Sequence, residues 1–282
     1  MKKQFILLLL SVLISMTFFS CKQKTIKTEE KDLKNRYYLA KDTTKGSLSI
    51  DFEVEIPVAF ADSNVLKSIR NTIVTNLFGK EYISVANDSL VKFYAKELLT
   101  EYKQDNEPSI NALDSGSVYS FNNEHVITGF SLLSDKKIYA YGIERYAYMG
   151  GAHGLETRNY FNFDLKTGKI ITEKDLYIAN FQSKLAELIK KRILEESKEN
   201  NKDEKNSEPI IDLEDTDYWT DSIKPNGNFY ITDESINYVF NPYEIAPYYM
   251  GQTEVTIPFS RIKDLLKPNS IIGYLVEKQA KQ

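Results

Sequence analysis

The chain has 282 residues, 42% hydrophobic and 27% charged, which is the composition of a folded globular protein rather than of a disordered or fibrous one. Its net charge of -4 excludes attraction to phosphate backbones as a driving force, so no nucleic-acid partner is expected. One cysteine, Cys21, and two histidines, His125 and His153, leave no intrachain disulfide and no zinc-ligand spacing, and neither a metal nor a cofactor is expected.

In chain order, Lys2 and Lys3 precede an apolar run from Phe5 to Phe19, about 15 residues long, the length of a secretory h-region and short for a membrane span. Ser20 and Cys21 follow it. A small residue before a lone cysteine predicts a lipoprotein signal peptide over residues 1–21 that leaves Cys21 lipidated at the membrane. Lys22, not Asp, comes next, so the outer membrane is the expected location in a diderm cell. Loss of Lys2 and Lys3 with the signal brings the net charge to -6.

Residues 22–36 are polar and aperiodic and predict a flexible tether. A first α+β domain is expected over 37–149. Leu48, Ile50, Phe52, Val54 and Ile56 alternate as in a half-buried strand. Val65, Leu66, Ile69, Ile73, Val74 and Leu77 make one face of a helix begun by Asp62 or Ser63 and stopped by Gly79. A second helix is predicted from Asp88 to Tyr102, with Phe93 and Tyr94 among its inward residues. Ser117–Leu133 and Lys136–Met149 predict a long hairpin turning at Ser134–Asp135.

A second domain is expected over 150–278. Glu156–Leu165 predicts a strand, 166–169 a tight turn, and Ala179–Ser197 an amphipathic helix. Lys198–Pro209 predicts a mobile loop. Short strands are predicted at Phe229–Ile231, Ile236–Phe240 and Glu254–Ile257, a short helix at Ser260–Leu266, and a last strand at Ile271–Val276. The fold class is therefore α+β, with two small domains that each pack an antiparallel sheet with one or two helices.

Three segments stand apart chemically. Gly150, Gly151, His153 and Gly154 form a turn in which glycines permit positive φ and close backbone approach. It reads as a tight connection whose histidine bonds local backbone, as a ligand-contacting loop, or least often as a catalytic or metal site. Asn241 to Gly251 mixes two prolines with Tyr243, Tyr248 and Tyr249, which either pack on a sheet or project as anchors for a protein or sugar. Glu199 to Asp221 holds nine acidic residues against Lys202 and Lys205. Within it Asp212, Glu214, Asp215 and Asp217 flank Trp219, either as a solvated loop or as an acidic patch suited to a basic partner.

Gly150–Gly154, then Tyr160–Lys169, Thr172–Leu176, Phe229–Tyr248 and Val255–Pro258 together resemble the extracytoplasmic region of RsiV-type, lysozyme-sensing anti-sigma factors. The part before them is similar to the domain that precedes the catalytic domain in the peptidoglycan deacetylase PdaC. The resemblance implies a shared α+β module that grips lysozyme in one relative. Sigma-factor control and deacetylation are not carried over, because those activities reside in parts of the relatives with no expected counterpart here. The expected function is thus a non-catalytic, membrane-anchored binding module for a lysozyme-like protein or cell-wall glycan. The alternative is an envelope carbohydrate hydrolase or transferase using carboxylates and His153.

Overall fold

The computed structural model describes residues 25–109, 121–201 and 209–280. Cys21 and the signal segment lie outside the described residues, as do 117–120 of the predicted hairpin and 202–208 of the predicted loop.

The first unit is a five-stranded sheet in the order β1-β2-β3-β4-β5. The strands are β1 (Lys27–Tyr38), β2 (Ser47–Ala59), β3 (Asn123–Ser134), β4 (Ile138–Met149) and β5 (Leu155–Asp164). Neighbours run antiparallel except β2 and β3, which are parallel. The alternating β2 residues Leu48, Ile50, Phe52, Val54 and Ile56 point into a core shared with α1 (Ser63–Phe78) and α2 (Leu90–Asn106). Asp62 caps α1 by accepting from Asn64 and Val65, and Gly79, at φ 117°, closes it by donating to the Thr75 carbonyl. Phe93, expected inward, is instead 55% exposed on α2.

The second unit is an antiparallel sheet of β6 (Phe229–Ile231), β7 (Ser235–Phe240) and β8 (Thr253–Pro258), in that order. Leu185, Ile189 and Ile193 of α4 (Gln182–Asn201) lie in its core with residues of α5 (Phe259–Ile262) and α6 (Gly273–Gln279). A short helix, α3 (Glu173–Leu176), is held by a capping box between Thr172 and Asp175.

Three expectations are corrected. The predicted tether over 22–36 overlaps β1, which pairs with β2 from Lys27 to Tyr38. An edge strand is held by its backbone ladder, so Leu33 and Tyr37 suffice to anchor it while its charged residues face water. The boundary expected at Gly150 falls inside one sheet, because β5 pairs with β4 across it. The strand predicted at Ile271–Val276 is instead the start of α6. There Ile272 and Leu275, three apart, are buried in the second core, and the Tyr274 hydroxyl donates to Asp135 at the β3–β4 turn. Tertiary packing on one helical face overrides the β-propensity of the run.

Asparagine amides join the two sheets. Asn162 on β5 donates to the Phe229 carbonyl at 2.8 Å and accepts from the Ile231 amide at 2.9 Å. Asn228 accepts from the Tyr160 amide at 3.0 Å and donates to the Arg158 carbonyl at 2.8 Å. Asn241 accepts from the Arg158 amide at 2.7 Å and donates to the Arg158 carbonyl at 3.1 Å. Each side-chain amide offers the donor and acceptor of a peptide group: Asn228 and Asn241 satisfy Arg158 and Tyr160 on the β5 edge, and Asn162 satisfies Phe229 and Ile231 of β6.

Candidate binding face

The Asn241 clamp fixes the loop that follows it. Pro242 and Tyr243 form a turn in which the Glu244 amide donates to the Asn241 carbonyl at 3.0 Å. Tyr243 takes φ 70°, a position usually filled by glycine or asparagine, and is 53% exposed. That backbone costs a non-glycine residue about 1 kcal/mol.

The glycine turn between β4 and β5 meets this loop. Gly150 and Gly151 take φ 80° and 110°. A Cβ on Gly154 would fall 2.4 Å from the half-buried Tyr146 ring, so any side chain there requires that ring to shift. The Gly154 carbonyl accepts from the Tyr248 hydroxyl at 2.7 Å and from His153 Nδ1 at 3.0 Å. A carbonyl cannot donate, so this contact puts the proton of His153 on Nδ1. The imidazole stacks on Tyr248 with centroids 3.9 Å apart and planes at 20°, and Tyr243 follows at 5.6 Å. Three rings from two loops thus form one row. Each such pair contributes about 1 kcal/mol beyond burial.

The acidic segment approaches the same loop. The Trp219 amide donates to the Ile245 carbonyl at 2.8 Å, leaving the indole 43% exposed. Tyr249, 70% exposed, is hydrogen-bonded to Asp217, whose carboxylate raises the phenol's pKa by favouring its neutral form. Asp212 and Asp215 serve a short 3-10 turn: Asp212 accepts from the Glu214 amide, and Asp215 from the amides of Ile211 and Asp212. These backbone donors hold the Asp215 carboxyl below the usual carboxylate range. Glu214 is exposed.

The structure therefore brings Gly150, Gly151, His153, Gly154, Tyr243 and Tyr248 together, with Trp219, Tyr249 and Asp217 tied to the same loop. Asp212, Glu214 and Asp215 belong to the neighbouring turn and make no contact with the ring row among the described contacts. Sequence reasoning missed the exposed Met149 and Leu155 that flank the glycine turn, and missed Asn241 as the clamp. The Asn-Pro dipeptide was its only signal, as a turn marker. Arg158 of β5 is shared between Glu144 at 3.2 Å and Glu156 at 3.1 Å, one cation against two carboxylates. Among the described residues, no carboxylate hydrogen-bonds His153, no group of three or more His, Cys, Asp or Glu residues is placed to hold a metal, and no helix is long and apolar enough to cross a membrane.

Residues 171–260 match the DUF3298 family, described as a protein of unknown function. The chain is 29% identical over 199 residues to the anti-sigma-V factor RsiV of Bacillus subtilis strain 168, covering 70% of this chain and 64% of RsiV. It is 25% identical over 194 residues to the peptidoglycan-N-acetylmuramic acid deacetylase PdaC of the same organism, covering 65% of this chain and 37% of PdaC. A DUF3298 family member from Bacteroides fragilis NCTC 9343 superposes with TM-score 0.79 at 25% identity, over 90% of this chain and 99% of that one. A DUF3298 protein from Pseudomonas aeruginosa PAO1 shares the fold at TM-score 0.53 and 15% identity, over 86% and 96% of the two chains. The chain thus holds a segment that matches the DUF3298 family, within an α+β fold shared with these proteins, and is related in sequence to RsiV and PdaC.

Proposed function

We propose that this chain is a non-catalytic binding module, anchored through lipid on Cys21 at the extracytoplasmic side of a membrane, the outer one in a diderm cell. The observation that carries the binding reading is the ring row His153–Tyr248–Tyr243, built from two pinned loops and left open beside Trp219 and Tyr249. Exposed aromatics with little rotamer freedom are strong interface anchors. The strained backbone at Tyr243 persists at the same place, as strain does at ligand-contacting sites. The nearby acidic turn favours a basic protein partner, because complementary potential accelerates encounter. The sequence motifs that resemble RsiV-type, lysozyme-sensing proteins motivate the choice of a lysozyme-like partner.

A cell-wall glycan is the second reading, favoured by the flat stacked faces the rings offer to a sugar. A hydrolase or transferase built on His153 has weaker support. Its Nδ1 is occupied by the Gly154 carbonyl, and no carboxylate contacts it among the described residues.

Calorimetric titration with lysozyme and, separately, with muropeptides tests the reading. Saturable binding that weakens with salt supports the protein partner; binding of muropeptides alone moves the assignment to glycan. Heat-silent titrations and unperturbed spectra with both ligands count against a binding module of either kind. Mass spectrometry of the membrane fraction tests the anchor: a diacylglyceryl thioether at residue 21 is expected, and an unmodified thiol contradicts it.

A further inference from the structure

A cleft of about 280 Å³ opens at the seam of the two sheets, away from the residues of the ring row. Its walls include Tyr160, Ile170 and Phe229, and Glu173, Lys174 and Gly227 also line it. The Glu173 carboxylate is fixed there. It accepts the Gly227 amide at 3.1 Å, while the buried Tyr238 hydroxyl donates to Tyr177. One accepted bond leaves most of the lone pairs of a carboxylate free. Among the described contacts no lysine, arginine or histidine pairs with Glu173, and burial raises its pKa. Lys174, the next residue, lines the same cleft but forms no ion pair with Glu173 among the described contacts.

A partly buried carboxylate without a cation is an unbalanced charge that a ligand can offset. The cleft is below the size of pockets that enclose whole small molecules, roughly 300–1,000 Å³, and suits one side chain. Apolar and aromatic walls receive a methylene stem, and ring faces attract an ammonium. We infer that the cleft receives a single primary ammonium on an apolar stem, the lysine-type side chain of a peptide ligand, with Glu173 as its counter-ion. This site stands independently of the aromatic face.

The test uses the full chain with labelled isoleucine methyls. n-Butylammonium chloride is titrated while the Ile170 and Ile171 signals are followed, with n-butanol as the neutral control. Saturating shifts are expected with a Kd on the order of 10 mM. Affinity is expected to fall about tenfold or more for n-butanol, and likewise for n-butylammonium with Glu173→Gln, while a Gly-Lys-Gly peptide displaces the amine. Absence of saturable shifts, equal affinity for butanol, or unchanged binding in Glu173→Gln overturns the site. Failure of the peptide to compete overturns the peptide assignment. Should Glu173→Gln not fold, the ammonium–alcohol contrast in the native chain decides alone.

Discussion

Gly154 shows how one residue constrains the binding face. Its missing side chain lets Tyr146 lie against the backbone while its carbonyl takes both Tyr248 and His153. Gly154→Ala is expected to cost about 1–3 kcal/mol through overpacking, measured by urea unfolding, and to loosen the His153–Tyr248 stack. A second residue-scale outcome concerns charge. Asp217 accepts from Tyr249 and favours its neutral phenol. Asp217→Asn should therefore lower the Tyr249 pKa, seen as earlier phenolate absorbance in a difference titration; an unchanged titration contradicts the contact. Of these features, the glycine turn and the tyrosine-proline loop were legible as segments with unusual composition. Their meeting was not, since Gly154 and Tyr248 are 94 residues apart and no local pattern encodes it.

At the scale of elements, legibility follows the periodicity of apolar residues. β2 and α1 were plain because each buries one face, and α1 carries its own start and stop at Asp62 and Gly79. β1 was hidden because an edge strand takes its stability from the β2 ladder and not from an apolar stripe. α6 was misread because Ile271 and Ile272 favour a strand locally while packing selects a helix. The asparagine seam left no sequence signal beyond isolated Asn residues, although it sets how the two sheets meet. Asn162 is 1% exposed, and its removal strips partners from a buried carbonyl at Phe229 and a buried amide at Ile231. Asn162→Ala should destabilise by about 3 kcal/mol, read from the shift in urea midpoint; a loss below about 0.5 kcal/mol would contradict the seam.

For the whole molecule, Glu173 contributes a defined pH dependence. Its folded pKa lies above the ordinary carboxylate value, so the folded state binds the proton more tightly than the unfolded chain. Its stabilising contribution is complete below the unfolded value and is lost as pH rises through the folded one. Glu173→Gln should raise Tm near neutral pH, with the gain fading below about pH 4; a gain independent of pH contradicts this. The proposed function rests on two loops, pinned by Asn241 and the Gly154 carbonyl, acting as one recognition surface. The most direct measurement is calorimetric binding of lysozyme to the wild-type chain and to Tyr243→Ala/Tyr248→Ala, with circular dichroism confirming that both are folded. The account predicts saturable wild-type binding and a loss of at least about 2 kcal/mol in the variant. Equal affinity of the two folded proteins would contradict it.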